Sequence, residues 1–267
     1  MDRDTARDIM GVFFDIDDTF TTDGKIPKVA FDALWALKTN GLRAVPVTGR
    51  PAGWCDHISR MWPVDAVIGE NGAFYFWYDE REHKLKERFL DSEDVRREKR
   101  LRLERIKEEI LKSVPGTAVA SGERYREADL AIDYCEDVPP LDQRAIDRIC
   151  WIFRKHGATS KVSSVHVNGW FGNYDKLKMT QIFAREQWGL ELDANKERLI
   201  FCGDSPNDEP MFQYFPYSAG VQNILRFADQ ITHWPAFISN RAGGEGFAEI
   251  VEVILERRGK VKEDAEG

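Results

Sequence analysis

Three aspartates lie within four positions near the start of the chain, directly after a run of apolar residues. In "FFDIDDTF", residues 13–20, they are Asp15, Asp17 and Asp18. A carboxylate can attack phosphorus, transfer a proton, or bind a hard metal ion through its oxygens. Acidic residues after a strand are also common as solvated turn residues, so the cluster alone indicates only a candidate catalytic segment.

Polar residues follow two later apolar segments in the same way, and a lysine precedes the second of them. They are Thr48, Gly49, Arg50, Lys176, Asp204, Asn207 and Asp208. Carboxylates that share a cleft repel one another unless a cation lies among them. Oxygen ligands of this kind suit Mg²⁺, especially when a substrate phosphate completes its shell. If these residues meet in the fold, they predict a Mg²⁺ site beside phosphate-binding groups.

The apolar segments before these residues are predicted to be strands of a parallel sheet. "MGVFFDI", "LRAVPVTG" and "VDAVIGENG" alternate with "PKVAFDALWALKTNG" and "PAGWCDHISRMW", where apolar residues recur at helical spacing. The same alternation returns late in the chain, with "ERLIFCGD", "YSAGV" and "DQITHW" as strands and "EGFAEIVEVILERR" as the last helix. The pattern predicts a doubly wound, Rossmann-like α/β core, in which ligands bind at the carboxyl ends of the strands.

The middle of the chain differs from the rest in its charge content and in its predicted secondary structure. The stretch from Tyr78 to Val114 is dense in charge and is predicted to be strongly helical, with acids and bases alternating at ion-pairing distances. Strands are predicted in "GTAVASGE", "DLAIDYCE" and "SKVSSVHV", and a helix in "LDQRAIDRICWIFRKHG". We therefore predict an α+β cap domain over residues 81–171, inserted into a discontinuous core formed by residues 1–80 and 172–267.

Composition narrows the class of partner. The chain has 267 residues, of which 42% are hydrophobic, and a formal net charge of −8, which disfavours nucleic acid or an anionic membrane as the main partner. The segment "MDRDTARDIM" lacks the apolar part of a signal peptide, and no stretch approaches the roughly 20 apolar residues of a membrane span. The expected protein is cytoplasmic, binds a small molecule and keeps its four scattered cysteines reduced; its oligomeric state stays open.

Taken in order, these motifs resemble those of the haloacid dehalogenase-like hydrolases. "FFDIDDT", "VTG", Lys176 and "GDSPND" match the four motifs of that family along the whole chain. The insert lies between the second and third motifs, which resembles the type C2 cap of subfamily IIB. That group is Cof-like and includes phosphatases of sucrose phosphate and mannosyl-3-phosphoglycerate; "GVQN" followed by "FADQIT" is also similar to it.

The resemblance implies a role for each matched residue. Asp15 would be the nucleophile that forms an aspartyl phosphate, and Asp17 the general acid and then the general base. The implied phosphate-binding residues are Thr48, Gly49, Lys176 and Asn207. The implied Mg²⁺ ligands are Asp15, Asp17 through its main-chain carbonyl, Asp204 and Asp208. Arg50 and Asn71 are candidate substrate contacts, although Arg50 could instead pair with a nearby acid and Asn71 could serve a tight turn.

The implied function is Mg²⁺-dependent hydrolysis of a small phosphorylated metabolite, with a sugar phosphate as the expected substrate. Two alternatives stay open: a phosphosugar mutase similar to phosphomannomutase, and a non-catalytic binding protein on the same fold. The chain departs from the commonest family pattern at Asp18, where most relatives have glycine, and at Ser205 and Pro206. Neither the role of Asp18 nor the cap residues that select the substrate can be identified from the sequence.

Overall fold

Five parallel strands form the central sheet of the structure, a computed structural model that describes residues 8–259. The strands are β1 (Gly11–Phe14), β2 (Arg43–Pro46), β10 (Leu199–Gly203), β11 (Tyr217–Gly220) and β12 (Phe237–Ile238). Their order across the sheet is β12-β11-β10-β1-β2, so β1 lies between the strands that carry the second and fourth motifs. The short strand predicted at "DQITHW" is wrong, because the last strand of the described chain begins at Phe237 instead.

Helices cover both faces of this sheet. Helices α1 (Lys28–Thr39) and α8 (Gly243–Arg258) pack on one face, and α5 (Lys176–Trp188) and α7 (Glu209–Tyr214) pack on the other. Successive strand residues point to opposite faces, so Phe14 packs with α1 and α8 while Phe13 packs with α5 and α7. This arrangement confirms the doubly wound α/β core. The remaining core helices are α2 (Ala52–Met61) and the short α6 (Leu192–Asn195).

A hairpin follows the third strand of the predicted series. Strands β3 (Val67–Gly69), β4 (Phe74–Asp79) and β5 (Lys84–Phe89) form an antiparallel sheet, and a parallel bridge from Val47 to Ile68 connects β3 to the end of β2. The prediction of a helix throughout residues 78–114 is therefore wrong for β5. Phe89 packs on the rings of β4, and this tertiary contact outweighs the helical tendency of the charged residues.

The inserted unit is an antiparallel sheet with two helices on one side. The sheet has the order β6-β7-β9-β8, formed by β6 (Ala118–Val119), β7 (Asp129–Asp133), β8 (Thr159–Val162) and β9 (His166–Trp170). Helices α3 (Glu93–Ser113) and α4 (Gln143–Lys155) pack on it around their own apolar core. The predicted strand near residues 160–167 is thus two strands with a turn between them.

The boundaries at residues 81 and 171 stay a prediction. The pairing of β5 with β4 favours a cap that starts close to Asp91, just before α3. None of the described helices combines the length and the apolar character of a membrane-spanning segment.

Candidate active site

The three motif-bearing strand ends lie side by side at one edge of the central sheet. Asp15 follows β1, and its amide donates to the carbonyl oxygen of Cys202 in β10 at 2.9 Å. Asp204 follows β10 directly, and Thr48 lies just past β2, where its amide donates to Ile68 at 2.9 Å. The parallel register of β1 with both neighbours therefore brings a nucleophile candidate, a metal-ligand candidate and a hydroxyl to one cleft.

Three buried carboxylates form the floor of this cleft. Asp15, Asp204 and Asp208 each offer an oxygen, and these oxygens lie within 4.8 Å of one another. Lys176 joins them, with its Nζ 2.9 Å from Asp15 Oδ2 and 2.7 Å from Asp208 Oδ1. The structure thus brings together the residues expected at the first, third and fourth motifs.

The floor of the cleft combines three carboxylates with one ammonium, and the pKa values of these groups are shifted accordingly. Burial raises the pKa of Asp15 to about 7 against the opposing effect of Lys176, and the charges of Asp208 and Asp17 add to the rise. Burial and the charge of Asp208 also raise the pKa of Asp204 well above its usual value. Burial alone would lower the pKa of Lys176, but Asp15 and Asp208 raise it instead. A divalent cation with a preference for oxygen fits this set, because it would remove the repulsion.

Local geometry holds each member of the floor. Thr19 Oγ1 donates to Asp204 Oδ1 at 2.9 Å, and Asn223 Nδ2 lies 3.4 Å from Asp204 Oδ2. Asp208 Oδ2 accepts from the Asp204 amide at 3.1 Å, and a Cβ on Gly203 would lie only 2.5 Å from the same oxygen. Glycine at the end of β10 is therefore required for this carboxylate to reach the strand.

Asn207 lies in the short turn between Asp204 and α7. The turn is a 3-10 turn over Pro206–Asp208, which Ser205 and Asp208 cap reciprocally. Asn207 is buried, and its Oδ1 accepts from Ser205 Oγ at 2.8 Å. The serine and proline that depart from the commonest family pattern therefore shape the turn that presents Asn207.

Asp17 lies outside the carboxylate floor and is paired with Arg50. Arg50 Nε is 2.9 Å from both carboxylate oxygens of Asp17, and Nη2 is 2.6 Å from Oδ1. The same Nη2 is 2.7 Å from Glu136 Oε1 in the cap, and Glu136 Oε2 is 2.8 Å from His166 Nε2. Arg50 therefore pairs with a nearby acid, Asp17, which is one of the two roles that the sequence left open. Through Glu136, Arg50 also links Asp17 to the cap.

The cap side of this link is built around Glu136. A contact with His166 and the guanidinium of Arg50 lower the pKa of Glu136 to about 2. The carboxylate of Asp133 accepts from the amides of residues 135, 136 and 137 at 2.8–2.9 Å, which fixes the turn that carries Glu136. Sequence reasoning missed Glu136, because only the tertiary fold brings it to the core.

Thr48, Gly49 and Asn71 form the wall beside the first motif. Thr48 is buried, and its Oγ1 accepts from the Arg50 amide at 3.0 Å. Gly49 lies against the Asn71 amide group, and its carbonyl accepts from Arg126 of the cap at 2.8 Å. Asn71 Nδ2 in turn donates to Asp129 Oδ2 in β7 at 3.2 Å. Asn71 therefore contacts the cap, besides occupying a left-handed turn position with φ of 56°.

A buried carboxylate joins the core to the cap next to this wall. Glu70 accepts from the Ala52 amide at 3.0 Å and from the amides of residues 127, 128 and 129 at 2.6–3.1 Å. Burial raises the pKa of Glu70 to about 7, and the charge of Asp129 adds to the rise. Glu70 and Asp129 were not predicted from the sequence. Glu70 nevertheless comes directly after a buried strand, β3, as Asp15 and Asp204 come directly after β1 and β10.

The structure also gives Asp18 a conformational role. Its φ is 55°, in the left-handed region, and its carbonyl accepts from Asn223 Nδ2 at 3.0 Å. Burial raises the pKa of Asp18, against a hydrogen bond with Ser164 of the cap. Aspartate tolerates this conformation better than most residues, and glycine adopts it without strain. This explains why glycine is common here in the family that the sequence resembles.

Comparison with known proteins agrees with the motifs. The family described as haloacid dehalogenase-like hydrolase matches residues 12–124, which include Asp15, Asp17 and Thr48. The match ends before Lys176, Asp204 and Asp208, so it does not bear on the roles expected of those three residues. No curated protein sequence matches the chain.

Solved structures share the whole fold. The Thermoplasma acidophilum protein 0175 is 22% identical with a TM-score of 0.68, covering 92% of this chain and 98% of its own. The sucrose-phosphatase of Synechocystis sp. PCC6803, solved with sucrose and phosphate, is 16% identical with a TM-score of 0.62, covering 92% and 97%. A subclass IIB sugar phosphatase is 13% identical with a TM-score of 0.59, covering 91% and 98%. The likeness extends over both the core and the inserted unit.

Proposed function

We propose that the chain is a haloacid dehalogenase-like hydrolase, the family whose model matches residues 12–124, and that it hydrolyses phosphomonoesters through a phosphorylated Asp15. One observation carries the proposal: Asp15 lies at the carboxyl end of β1, buried beside Lys176 and two further carboxylates. A carboxylate in that setting has a cation to guide the phosphate and a place for a metal ion. Both are what nucleophilic attack by a carboxylate on a dianionic group requires.

In the first step, an Asp15 oxygen bonds to phosphorus and the bond from phosphorus to the ester oxygen breaks. Asp17 gives a proton to the departing oxygen, so that the product leaves as an alcohol. Lys176 and the hydroxyl of Thr48 bind the oxygens of the transferring group, with the amide of Asn207 at the side of the cleft. Arg50 pairs with the ionised form of Asp17, the form that acts as the base in the second step, so Asp17 must be protonated and released from Arg50 before it donates in the first step.

In the second step, a water molecule attacks the phosphorus of the aspartyl phosphate. Asp17 accepts the proton of this water, and the bond between phosphorus and Asp15 breaks to release inorganic phosphate. The carboxylate of Asp15 and the protonated form of Asp17 are thereby restored. The cap lies over the cleft through the contacts of Glu70 and Arg50, which limits the entry of bulk water.

Asp15, Asp204 and Asp208 would hold Mg²⁺, together with the main-chain carbonyl of Asp17 that the family resemblance implies. When bound, the ion neutralises the clustered charge and polarises the phosphoryl oxygens. Within the class of small phosphorylated metabolites, the sucrose-phosphatase with the same fold supports a sugar phosphate.

A phosphate-release screen with and without Mg²⁺ tests the proposal. Sugar phosphates and other phosphomonoesters, including p-nitrophenyl phosphate, are incubated with the wild type, Asp15→Asn and a control, Asp147→Asn, which changes an exposed aspartate of α4. We expect Mg²⁺-dependent release by the wild type and the control only. Absence of release from every compound, or full activity in Asp15→Asn, would refute the proposal. Conversion of a sugar phosphate into its isomer without release would indicate a mutase.

A further inference from the structure

One face of the cap sheet looks towards the active site. Side chains alternate along its strands, and Ile132 and Val167 pack under the cap helices. The residues of opposite parity therefore face the core, as the contact of Asn168 with Asp129 and of Asp129 with Asn71 shows. The polar and aromatic residues on this side are Asp129, Asp133, Thr159, Lys161, His166, Asn168 and Trp170.

Lys161 differs from its charged neighbours on this face in having no counterion. Asp129 is paired with Arg126 at 2.7 Å, and Asp133 accepts from three backbone amides. Within residues 8–259, Lys161 forms no ion pair, although the residue is half-buried. A cation that is withdrawn from water without a partner costs free energy, and an anionic ligand would offset that cost.

The position of Lys161 places it across the cleft from the phosphate-binding residues. Strand β8, which carries it, lies against the turn Pro206–Asp208. The small cavity that Lys161 lines is also lined by Asn71, Trp170, Asp175, Lys176, Asn207 and Pro210. The Asp175 carboxylate accepts from the Lys178 amide at 2.8 Å. The cavity thus has a core wall that carries donors for the transferring phosphoryl group and a cap wall that carries Lys161.

The core wall already has a cation of its own. Lys176 lies within 2.9 Å of the nucleophile and is held by α5, so the transferring group has its positive partner at that wall. The remainder of the substrate must extend towards the cap, where Lys161 is the cation among the described residues that line this cavity from the cap side. The cavity between the two walls has a volume of about 10 Å³, enough for roughly one water molecule, so a substrate enters only when the cap moves away from the core.

We propose that Lys161 binds a second anionic group on the leaving group of the substrate. The preferred substrates are then small phosphomonoesters, sugar phosphates among them, that carry a carboxylate or a second phosphate besides the phosphoryl group that is transferred. This inference rests on the proposed function and narrows its substrate class. Lys161 is a specificity-determining residue, since its contact is with the part of the substrate that does not react.

Two matched pairs of substrates test the proposal and separate the two anions. The first pair is 3-phosphoglycerate with glycerol 3-phosphate, and the second is fructose 1,6-bisphosphate with fructose 6-phosphate. The ratio of kcat/KM within each pair is measured for the wild type, Lys161→Gln, Lys161→Arg and Lys112→Gln, which changes an exposed lysine of α3. p-Nitrophenyl phosphate serves as a separate test of phosphatase activity.

We expect the wild type to prefer the charged member of at least one pair. Lys161→Gln should lower that preference by about 30-fold, the usual size for loss of one charged hydrogen bond. Lys161→Arg should keep most of it, and Lys112→Gln all of it. A wild type that hydrolyses p-nitrophenyl phosphate without preferring either charged compound overturns the inference and leaves the proposed function standing. Equal losses on both members of a pair in Lys161→Gln also overturn it, because they place Lys161 on the transferring group. Failure to hydrolyse any of these compounds counts against the proposed function itself.

Discussion

Arg50 holds the carboxylate of Asp17 from two nitrogens, at 2.9 Å from Nε and 2.6 Å from Nη2 to the same Oδ1 atom. The two side chains are 9% and 17% exposed, so the pair is largely shielded from water. The Nη2 atom also contacts Glu136 of the cap at 2.7 Å. The position of Asp17 thus depends on Arg50, and Arg50 has Glu136 as a second partner only when the cap lies over the core.

Replacing Glu136 with glutamine should weaken this coupling. Arg50 would lose its charged cap partner, and we expect kcat, which depends on Asp17 as the base of the second step, to fall by about 10-fold or more, as for loss of a charged hydrogen bond. Steady-state kinetics with p-nitrophenyl phosphate measure the change. Asp137→Asn, the neighbouring exposed residue, is the control. Unchanged kinetics in Glu136→Gln would show that Arg50 orients Asp17 without the cap.

The same residue predicts a pH dependence of stability. The pKa of Glu136 is lowered to about 2 in the folded protein, by His166 and Arg50, from an ordinary value of 4.5. A lowered carboxyl pKa stabilises the folded state above the ordinary value, and this contribution is lost as the pH falls from about 4.5 towards 2. Urea unfolding should therefore show a stability difference between the wild type and Glu136→Gln at pH 6 that shrinks at pH 3.5. A difference that is the same at both pH values would contradict the assignment.

Asp17→Asn should separate the two chemical steps. The p-nitrophenolate group leaves without a proton, so Asp15 can still be phosphorylated, whereas the attack of water on the aspartyl phosphate loses its base. We expect kcat to fall by about 10²–10⁴ and rapid mixing to show a burst of p-nitrophenol equivalent to the enzyme. Asp23→Asn, an exposed change in the same loop, should behave as the wild type. A proportional loss of rate with no burst would argue against a phosphorylated intermediate.

Asp204→Asn should have opposite effects on stability and on the response to metal. It removes one of three clustered carboxylates and keeps an acceptor for Thr19, so the protein in EDTA should gain about 2–4 °C in Tm for each kcal/mol of repulsion removed. Mg²⁺ should raise the Tm of the wild type by mass action and raise that of the variant much less. Thermal unfolding in EDTA and in Mg²⁺ gives both values. Equal Mg²⁺ shifts in the two proteins would place the ion elsewhere.

Gly72→Ala should displace Lys176. Gly72 has a φ of 105°, and a Cβ there would lie 2.1 Å from the carbonyl oxygen of Asp175, the residue that caps α5. The helix start must move to avoid this clash, at a cost of about 1–3 kcal/mol in addition to the backbone strain. Gly41→Ala is the matched control, because Gly41 has a φ of 70° with nothing within 4 Å of the added Cβ.

Chemical denaturation and phosphatase assays on both glycine variants distinguish the two effects. Gly41→Ala should lose only the conformational cost of about 1–2 kcal/mol and keep its activity. Gly72→Ala should lose more stability and also activity. Equal behaviour of the two variants would mean that α5 is not held by this contact.

The floor of the site could be predicted from the sequence because each of its residues follows a local signal. Asp15 and Asp204 come directly after continuous apolar strands, and the parallel alternation of strands and helices requires such strand ends to meet. Asn223 also had a signal, since it lies in the "GVQN" segment. The sequence signal at β5 was misleading, because a segment dense in charged residues is compatible with a helix and with a hairpin strand.

The contacts between cap and core could not be predicted in this way. Lys161 and Glu136 lie in ordinary polar segments, and nothing in their sequence neighbours distinguishes them from solvated side chains. Glu70 follows the buried strand β3, but that position alone does not indicate a contact with the cap. Their roles depend on which face of the cap sheet turns towards the core. That orientation is decided by tertiary contacts such as those of Asp129 and Asn168, rather than by any local periodicity.

The carboxylate of Glu70 binds three successive backbone amides of the cap and one amide of the core at a single point. If the cap opens without breaking these hydrogen bonds, it must rotate about Glu70, which then acts as the hinge. Strand β7 lies next to this hinge and would move little. Strand β8 lies at the far edge of the sheet and would be displaced more. Lys161 lies on that outer strand, so such a rotation would carry the residue that we propose binds the leaving group away from Asp15, the proposed nucleophile.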